Sequence, residues 1–123
     1  MQNIDSLEIY QDALEFSNTI WDIVIKWDYF SQKTIGSQLV RSCDSISANI
    51  AEGYGRYHFK ENLHFCYYAR GSFEETKDWI RKASQRNLLK KQNLEKIDVF
   101  INNFSKRLNS YIKYIKKSIP ERR

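Results

Sequence analysis

The densest run of residues able to do chemistry is Gly53-Tyr54-Gly55-Arg56-Tyr57-His58-Phe59. It has the outline of the aromatic strand motif of RNA-recognition domains. That motif wants a basic residue before its first glycine, where Glu52 stands, and an aromatic where Arg56 stands. It also needs a strand, and both flanks here have helical periodicity. The run reads as a turn between helices that carries exposed aromatics.

Other constellations are thinner. His58 and His64 are six apart, so on a helix they point to different faces and cannot form the i, i+4 pair of a zinc helix. Cys66 lies near them without a second ligand pair, so no metal is expected. Glu52, Glu74 and Glu75 fall near apolar seams, but a di-metal bundle needs Glu-x-x-His on two helices, and the chain does not supply the two. No serine, cysteine or histidine set suggests a nucleophile. The four glycines form no phosphate loop. The expectation is a protein that is not an enzyme and that needs no cofactor and no metal.

The elements that must position these residues are helices. The 123 residues contain only four glycines and one proline, Pro120. A sandwich or barrel needs more frequent turns than that. Four apolar stripes recur at three- and four-residue steps. The first is Leu7, Tyr10, Ala13, Leu14, Ser17, Ile20, Trp21 and Val24, and Asp5 or Ser6 could cap it. The second is Ile35, Leu39, Cys43, Ile46 and Ile50. Phe59, Leu63, Cys66, Ala69, Phe73, Thr76, Ile80 and Ala83 make the third. Leu94, Ile97, Ile101, Phe104, Leu108, Tyr111 and Ile115 make the fourth. These stripes predict helices near 6–27, 34–52, 58–87 and 91–117, followed by a basic tail over 118–123. The fold expected is all-α, an antiparallel up-down-up-down four-helix bundle forming a single domain over 1–123.

Within the second and third helices some polar residues stand out. Arg41, Ser45, Ala48 and Glu52 share one face, with Asn49 on the adjacent, more apolar face. Arg70 lies between Ala69 and Gly71, with Glu74 four residues on. One reading is an exposed Arg70–Glu74 pair contributing a few tenths of a kcal/mol. The other is a partly buried network of Arg41, Asn49, Glu52, Arg70 and Glu75 joining the two helices. Gly53 marks a helix end or bend. Gly71, mid-helix, costs about 1 kcal/mol relative to alanine, which suggests a neighbouring backbone close by.

Charge is unevenly spread. Residues 1–30 carry a net −5, with Lys26 the one base, and residues 90–123 a net +7. Such asymmetry permits a basic surface for a polyanion, or head-to-tail pairing of acidic and basic faces between subunits. Lys106, Arg107, Lys113, Lys116 and Lys117 lie on the last predicted helix, with Arg122 and Arg123 just beyond. Lys106, Lys113 and Lys117 fall close to one face. The ordinary reading of any single lysine is a solvated helix face.

Cys43 and Cys66 sit at helical spacing among apolar residues and predict two reduced core thiols. The opening MQNIDSLEIYQD is acidic and has no apolar core, so no signal peptide is expected. No stretch approaches the ~20 apolar residues of a membrane span. A cytoplasmic location with no membrane partner is the expectation.

The residues also carry a family likeness. Ser37-Gln38-Leu39-Val40-Arg41, Ser45-Ile46-Ser47-Ala48-Asn49-Ile50-Ala51-Glu52-Gly53, and Ala69-Arg70-Gly71-Ser72 with Glu75 resemble the bacterial four-helix-bundle family of 23S rRNA intervening-sequence proteins. Ile9-Tyr10-Gln11-Asp12-Ala13 is similar to that family's opening helix. The likeness runs over roughly residues 7 to 117. Two departures stand out: no proline precedes the Asn49–Gly53 string, and Asp44 occupies a position the family commonly fills with an apolar residue.

The resemblance implies a bundle that assembles as a ring-like homopentamer with no enzymatic activity. It also implies nucleic acid, RNA or DNA, as a partner. Related accessory proteins of diversity-generating retroelements bind nucleic acid and a reverse transcriptase, so a nucleic-acid enzyme is a further partner implied. Independently, the aromatics Trp21, Trp27, Phe65, Tyr67, Tyr68, Trp79 and Phe100 spread over more faces than one small core can bury, which favours self-association. The function expected is a non-enzymatic oligomer associated with RNA through basic helix faces. The alternative is a structural or adaptor protein that presents a surface to another protein.

Overall fold

The computed structural model of the chain describes residues 4–120. The four stripes fold as four long helices: α1 (Glu8–Val24), α2 (Ser37–Tyr54), α3 (Phe59–Gln85) and α4 (Lys91–Lys117). A single 3-10 turn, Ile4–Ser6, precedes them, and no strand occurs among the described residues.

Contacts between helices set their directions. Ser17 of α1 meets Cys43 of α2, while Val24 meets Gly36 just before α2. Ser42 of α2 meets Thr76 of α3, while Gly53 meets Asn62. Phe73 of α3 packs on Phe104 of α4, while Asn62 reaches Tyr111. Phe16 of α1 stacks on Phe100 of α4, while Asp12 meets Arg107. In every pair the numbers run in opposite senses, so neighbouring helices are antiparallel and the four close on one another in chain order.

The first connection differs from expectation. Asp28-Tyr29-Phe30-Ser31 was expected to lie between helices, but helical structure resumes at Tyr29 rather than near 34. A turn over Tyr29–Ser31 and a π-helical turn over Gln32–Gly36 lead without a break into α2. The cause is a cap: Asp28 accepts from the Ser31 amide at 3.0 Å and from the Ser31 hydroxyl at 2.9 Å. Those bonds hold the Asp28 carboxyl below the usual aspartate range. Gln32 Nε2 then donates to the Val24 and Ile25 carbonyls at 3.2 and 2.9 Å, satisfying the end of α1.

The end of α3 is fixed differently. Asn87 takes a left-handed conformation, φ 60°. Leu88 N donates to Ala83 O at 2.9 Å and Asn87 N to Ser84 O at 3.1 Å. This pair of bonds closes the helix and turns the chain toward α4.

The core runs the length of the bundle. Ile9, Ala13, Phe16, Ile20 and Val24 of α1 face Leu39, Cys43, Ile46 and Ile50 of α2 and the buried stripes of α3 and α4. Stacked Phe16 and Phe100, with centroids 3.8 Å apart, continue through Phe104 to Phe73 and join three helices. Three stripe assignments change. Trp21 is 53% exposed, and Ile9 and Phe16 take the buried positions on α1. Phe59 is exposed at the first turn of α3. Ile112 is buried on α4, where Tyr111 is only half-buried.

Candidate nucleic-acid interface

Helix α4 presents the basic face. Lys106, Lys113 and Lys117 are exposed, and no carboxylate of the described residues lies within ion-pair distance of them. Lys116 is exposed too, and its Nζ stands 5.9 Å from the centroid of the Tyr67 ring on α3. Arg107 does not join this row. Its guanidinium hydrogen-bonds to Asp12 and lies 3.6 Å from Glu8, both on α1. Asp12, then Glu8, raise the affinity of Arg107 for its proton. The acidic first helix and the basic last helix therefore meet within one chain, and Arg107 leaves the set of unpaired cations. Arg122 and Arg123 lie outside the described residues.

The network expected between α2 and α3 is not formed within the chain. Arg41 and Glu52 are exposed, and Glu52 pairs with Arg56 of its own helix end at 3.2 Å. The Asn49 amide donates back to Ser45 O at 2.8 Å. The Arg70 guanidinium lies over the Tyr67 ring at 5.0 Å, without a carboxylate partner among the described residues. Glu75 accepts from Trp79 Nε1 at 3.0 Å. A Cβ on Gly71 would meet nothing within 4 Å, so no backbone of another described element approaches it. The physical reason is solvation: these charges stay on outer faces because water stabilises them better than the narrow α2–α3 seam would.

Smaller polar groups bridge the helices instead. Ser17 donates to Cys43 O at 3.3 Å between α1 and α2. Thr76 and Ser42 hydroxyls meet at 3.0 Å between α3 and α2. Buried Asn62 bonds Tyr111 of α4, accepts from the Cys66 thiol at 3.7 Å, and packs against Gly53. Burial raises the Tyr111 phenol, and the bond to Asn62 pulls it back down. Asn62 was missed from sequence, although it continues the seam Cys66, Ala69, Phe73 one turn upstream. Gly53 alone of the expected set sits at a close helix contact. Asp44 is exposed, yet partial burial still raises its carboxyl, against a lowering contribution from the Ser17 hydroxyl.

At the end of the bundle where α2 turns into α3, Tyr57, His58, Phe59 and His64 face Ile119 and Pro120 across a cleft of about 570 Å³. Lys60 and Glu61 stand at the same opening. His58 and His64 thus share one cleft, contrary to the helical spacing argument. His58 precedes α3 in an extended conformation, φ −100° and ψ 136°, so the rule for helix faces does not apply to it. Glu61-Asn62-Leu63-His64 is a single Glu-x-x-His string. Among the described residues no group of three or more histidines, cysteines or carboxylates is placed to hold a metal ion.

Both cysteines are buried and unpaired. Burial pushes the Cys43 thiol up to about 12 and the Cys66 thiol up to about 11, which suits core packing rather than nucleophilic attack. No helix of the described residues is long and apolar enough to cross a membrane.

These features define an all-helical bundle protein with a basic last helix and no assembled catalytic group among the described residues. The chain belongs to the 23S rRNA-intervening sequence protein family, whose model matches residues 5–110. The fold is shared with a crystal structure of a protein of unknown function from the S23 ribosomal protein family of Bacteroides thetaiotaomicron VPI-5482. That protein is 23% identical, with a TM-score of 0.75, over 85% of this chain and 98% of the other. A comparison with curated proteins finds no match.

Proposed function

We propose that the chain is a non-enzymatic cytoplasmic protein that associates with RNA or DNA through the lysines of α4, as a closed homo-oligomer, a pentamer by the family likeness. One observation carries this reading. Lys106, Lys113 and Lys117 are exposed without carboxylate partners among the described residues, whereas the neighbouring Arg107 is taken up by Asp12 and Glu8. Charges left unpaired along one helix face suit the phosphate backbone, which is bound through counterion release with little sequence information. Repeating the face around a ring turns a weak site into a multivalent one.

Filter binding at low salt tests the reading. The intact protein should retain RNA and duplex DNA with little sequence preference, and retention should fall steeply as salt rises. No retention at low salt overturns it. In that case the adaptor reading leads, and it has its own support. Trp21 on α1 and Ile25 at its end, with Tyr29 at 75% and Phe30 at 74% exposure just beyond, offer apolar surface for another chain. Light scattering should give a mass several times 14.8 kDa.

A further inference from the structure

The lysines of α4 do not stand alone. Helix α4 runs past Lys116 and Lys117 directly into Ile119 and Pro120, which form one wall of the end cleft. The opposite wall is aromatic. Tyr57 is 93% exposed and meets His58 edge-to-face, with centroids 4.8 Å apart at 89°. Phe59 follows, 42% exposed.

The cleft also connects to the basic face along α3. Lys60, His64 and Tyr67 follow one another at four- and three-residue steps, so they share one side of the helix. His64 lines the cleft, and Tyr67 one turn on carries both the Lys116 ammonium and the Arg70 guanidinium near its ring. Among the described residues Glu61 is the one acid at the opening, and Arg56 stands 3.8 Å from it. Cations that hold phosphate and rings that bases stack on are thus joined over a few turns of two helices.

The geometry points to unpaired nucleotides as the ligand of this end cleft: the protein holds single-stranded nucleic acid, stacking a base on Tyr57 and Phe59 while Lys60, Lys116 and Lys117 contact the flanking phosphates. The inference rests on the nucleic-acid reading above and narrows it. Its volume falls within the roughly 300–1,000 Å³ of ordinary ligand sites. Aromatic rings beside a basic track are the common means of gripping a single strand, because every base has a π-face. A duplex keeps its bases stacked on each other and offers none to the rings.

The test is fluorescence anisotropy at low salt with a labelled twelve-nucleotide uridine or adenine strand, and with a labelled duplex of the same length. The parent protein should bind the single strand more tightly than the duplex. Replacing Tyr57→Leu and Phe59→Leu together should weaken single-strand binding at least about fivefold and leave duplex binding unchanged. Tyr57→Phe, with Phe59 kept, should bind like the parent. Melting temperature serves as the control on folding, and the exposure of both rings makes a large change unexpected. If single strand and duplex bind equally and the leucine pair alters neither, the cleft is not a stacking site, and the phosphate reading of α4 stands without it. If neither probe binds the parent, both readings fall.

Discussion

Gly53 lies so close to Asn62 that a Cβ on the glycine would stand 2.5 Å from Asn62 Oδ1, and 2.8 Å from the Phe65 Cβ. The contact lets α2 and α3 converge at their joined ends. It also sets Asn62 where it can reach both Cys66 and Tyr111. Gly53→Ala must push the α3 backbone away, since the Phe65 Cβ is fixed to that backbone and has no room to rotate. We expect a loss of about 1–3 kcal/mol, the usual cost of overpacking, measured by urea denaturation.

Gly71 is the opposite case. A Cβ there meets only open space. Gly71→Ala should therefore stabilise the isolated chain by about 0.5–1 kcal/mol through helix propensity. If a second copy packs its backbone against this face, the same change will lower the oligomer's mass in light scattering while raising helix stability. The two measurements together tell whether the glycine serves the chain or its assembly.

Glu52 and Arg70 are exposed, so their removal should matter little. Each alanine variant should melt within about 0.5 kcal/mol of the parent. Thr76→Val should cost more, about 1 kcal/mol, because it removes the buried hydroxyl that meets Ser42 at 3.0 Å. Thermal melts of the three variants rank these sites directly.

Stability should fall on the alkaline side. The Cys43, Cys66 and Tyr111 protons are all held more tightly in the folded chain than in the unfolded one. Above the ordinary thiol value of 9.0 the unfolded state loses protons that the folded state keeps, so unfolding is favoured. The contribution is intact below that value and is lost progressively as pH rises toward the folded values near 11 and 12. Asp28 acts in the other direction: its cap is present above the ordinary aspartate value and is lost as pH falls through its lowered folded value. Denaturation midpoints at several pH values check both limbs.

Neutralising Lys113, Lys116 and Lys117 together should flatten the salt dependence of RNA binding. If all three touch phosphate of a single strand, the slope of log affinity against log salt should shrink by about two. An unchanged slope would place the phosphates elsewhere.

The helices were legible because each has a long apolar stripe, and burial of such a stripe dictates both its type and its facing. What periodicity could not show was which apolar residues of a helix turn inward. Trp21 and Phe16 differ in exposure because the phenylalanine meets Phe100 across the α1–α4 contact, a long-range fact. Nor could it show that Asp28 would start a helix in what reads as a connection. The basic row on α4 was visible as spacing, but the capture of Arg107 by Asp12 needed the fold. Spacing also left open whether Arg41, Glu52 and Arg70 face solvent or the α2–α3 seam; they lie on outer faces, because a charge loses more hydration in such a seam than the seam returns. The end cleft was hidden for a plain reason: Ile119 and Pro120 are some sixty residues from Tyr57, and only antiparallel closure brings them together.

The capped turn after α1 carries a thermodynamic consequence. Tyr29 and Phe30 project from a short helical segment fastened at Asp28 and tied back by Gln32 to the α1 carbonyls. The Lys33 ammonium lies 5.9 Å from the centroid of the Tyr29 ring. Two large rings are therefore presented on backbone whose disorder was already surrendered when the chain folded. A surface that meets them gains their apolar area without a further loop-ordering penalty, which is the advantage of a preorganised anchor over a flexible one.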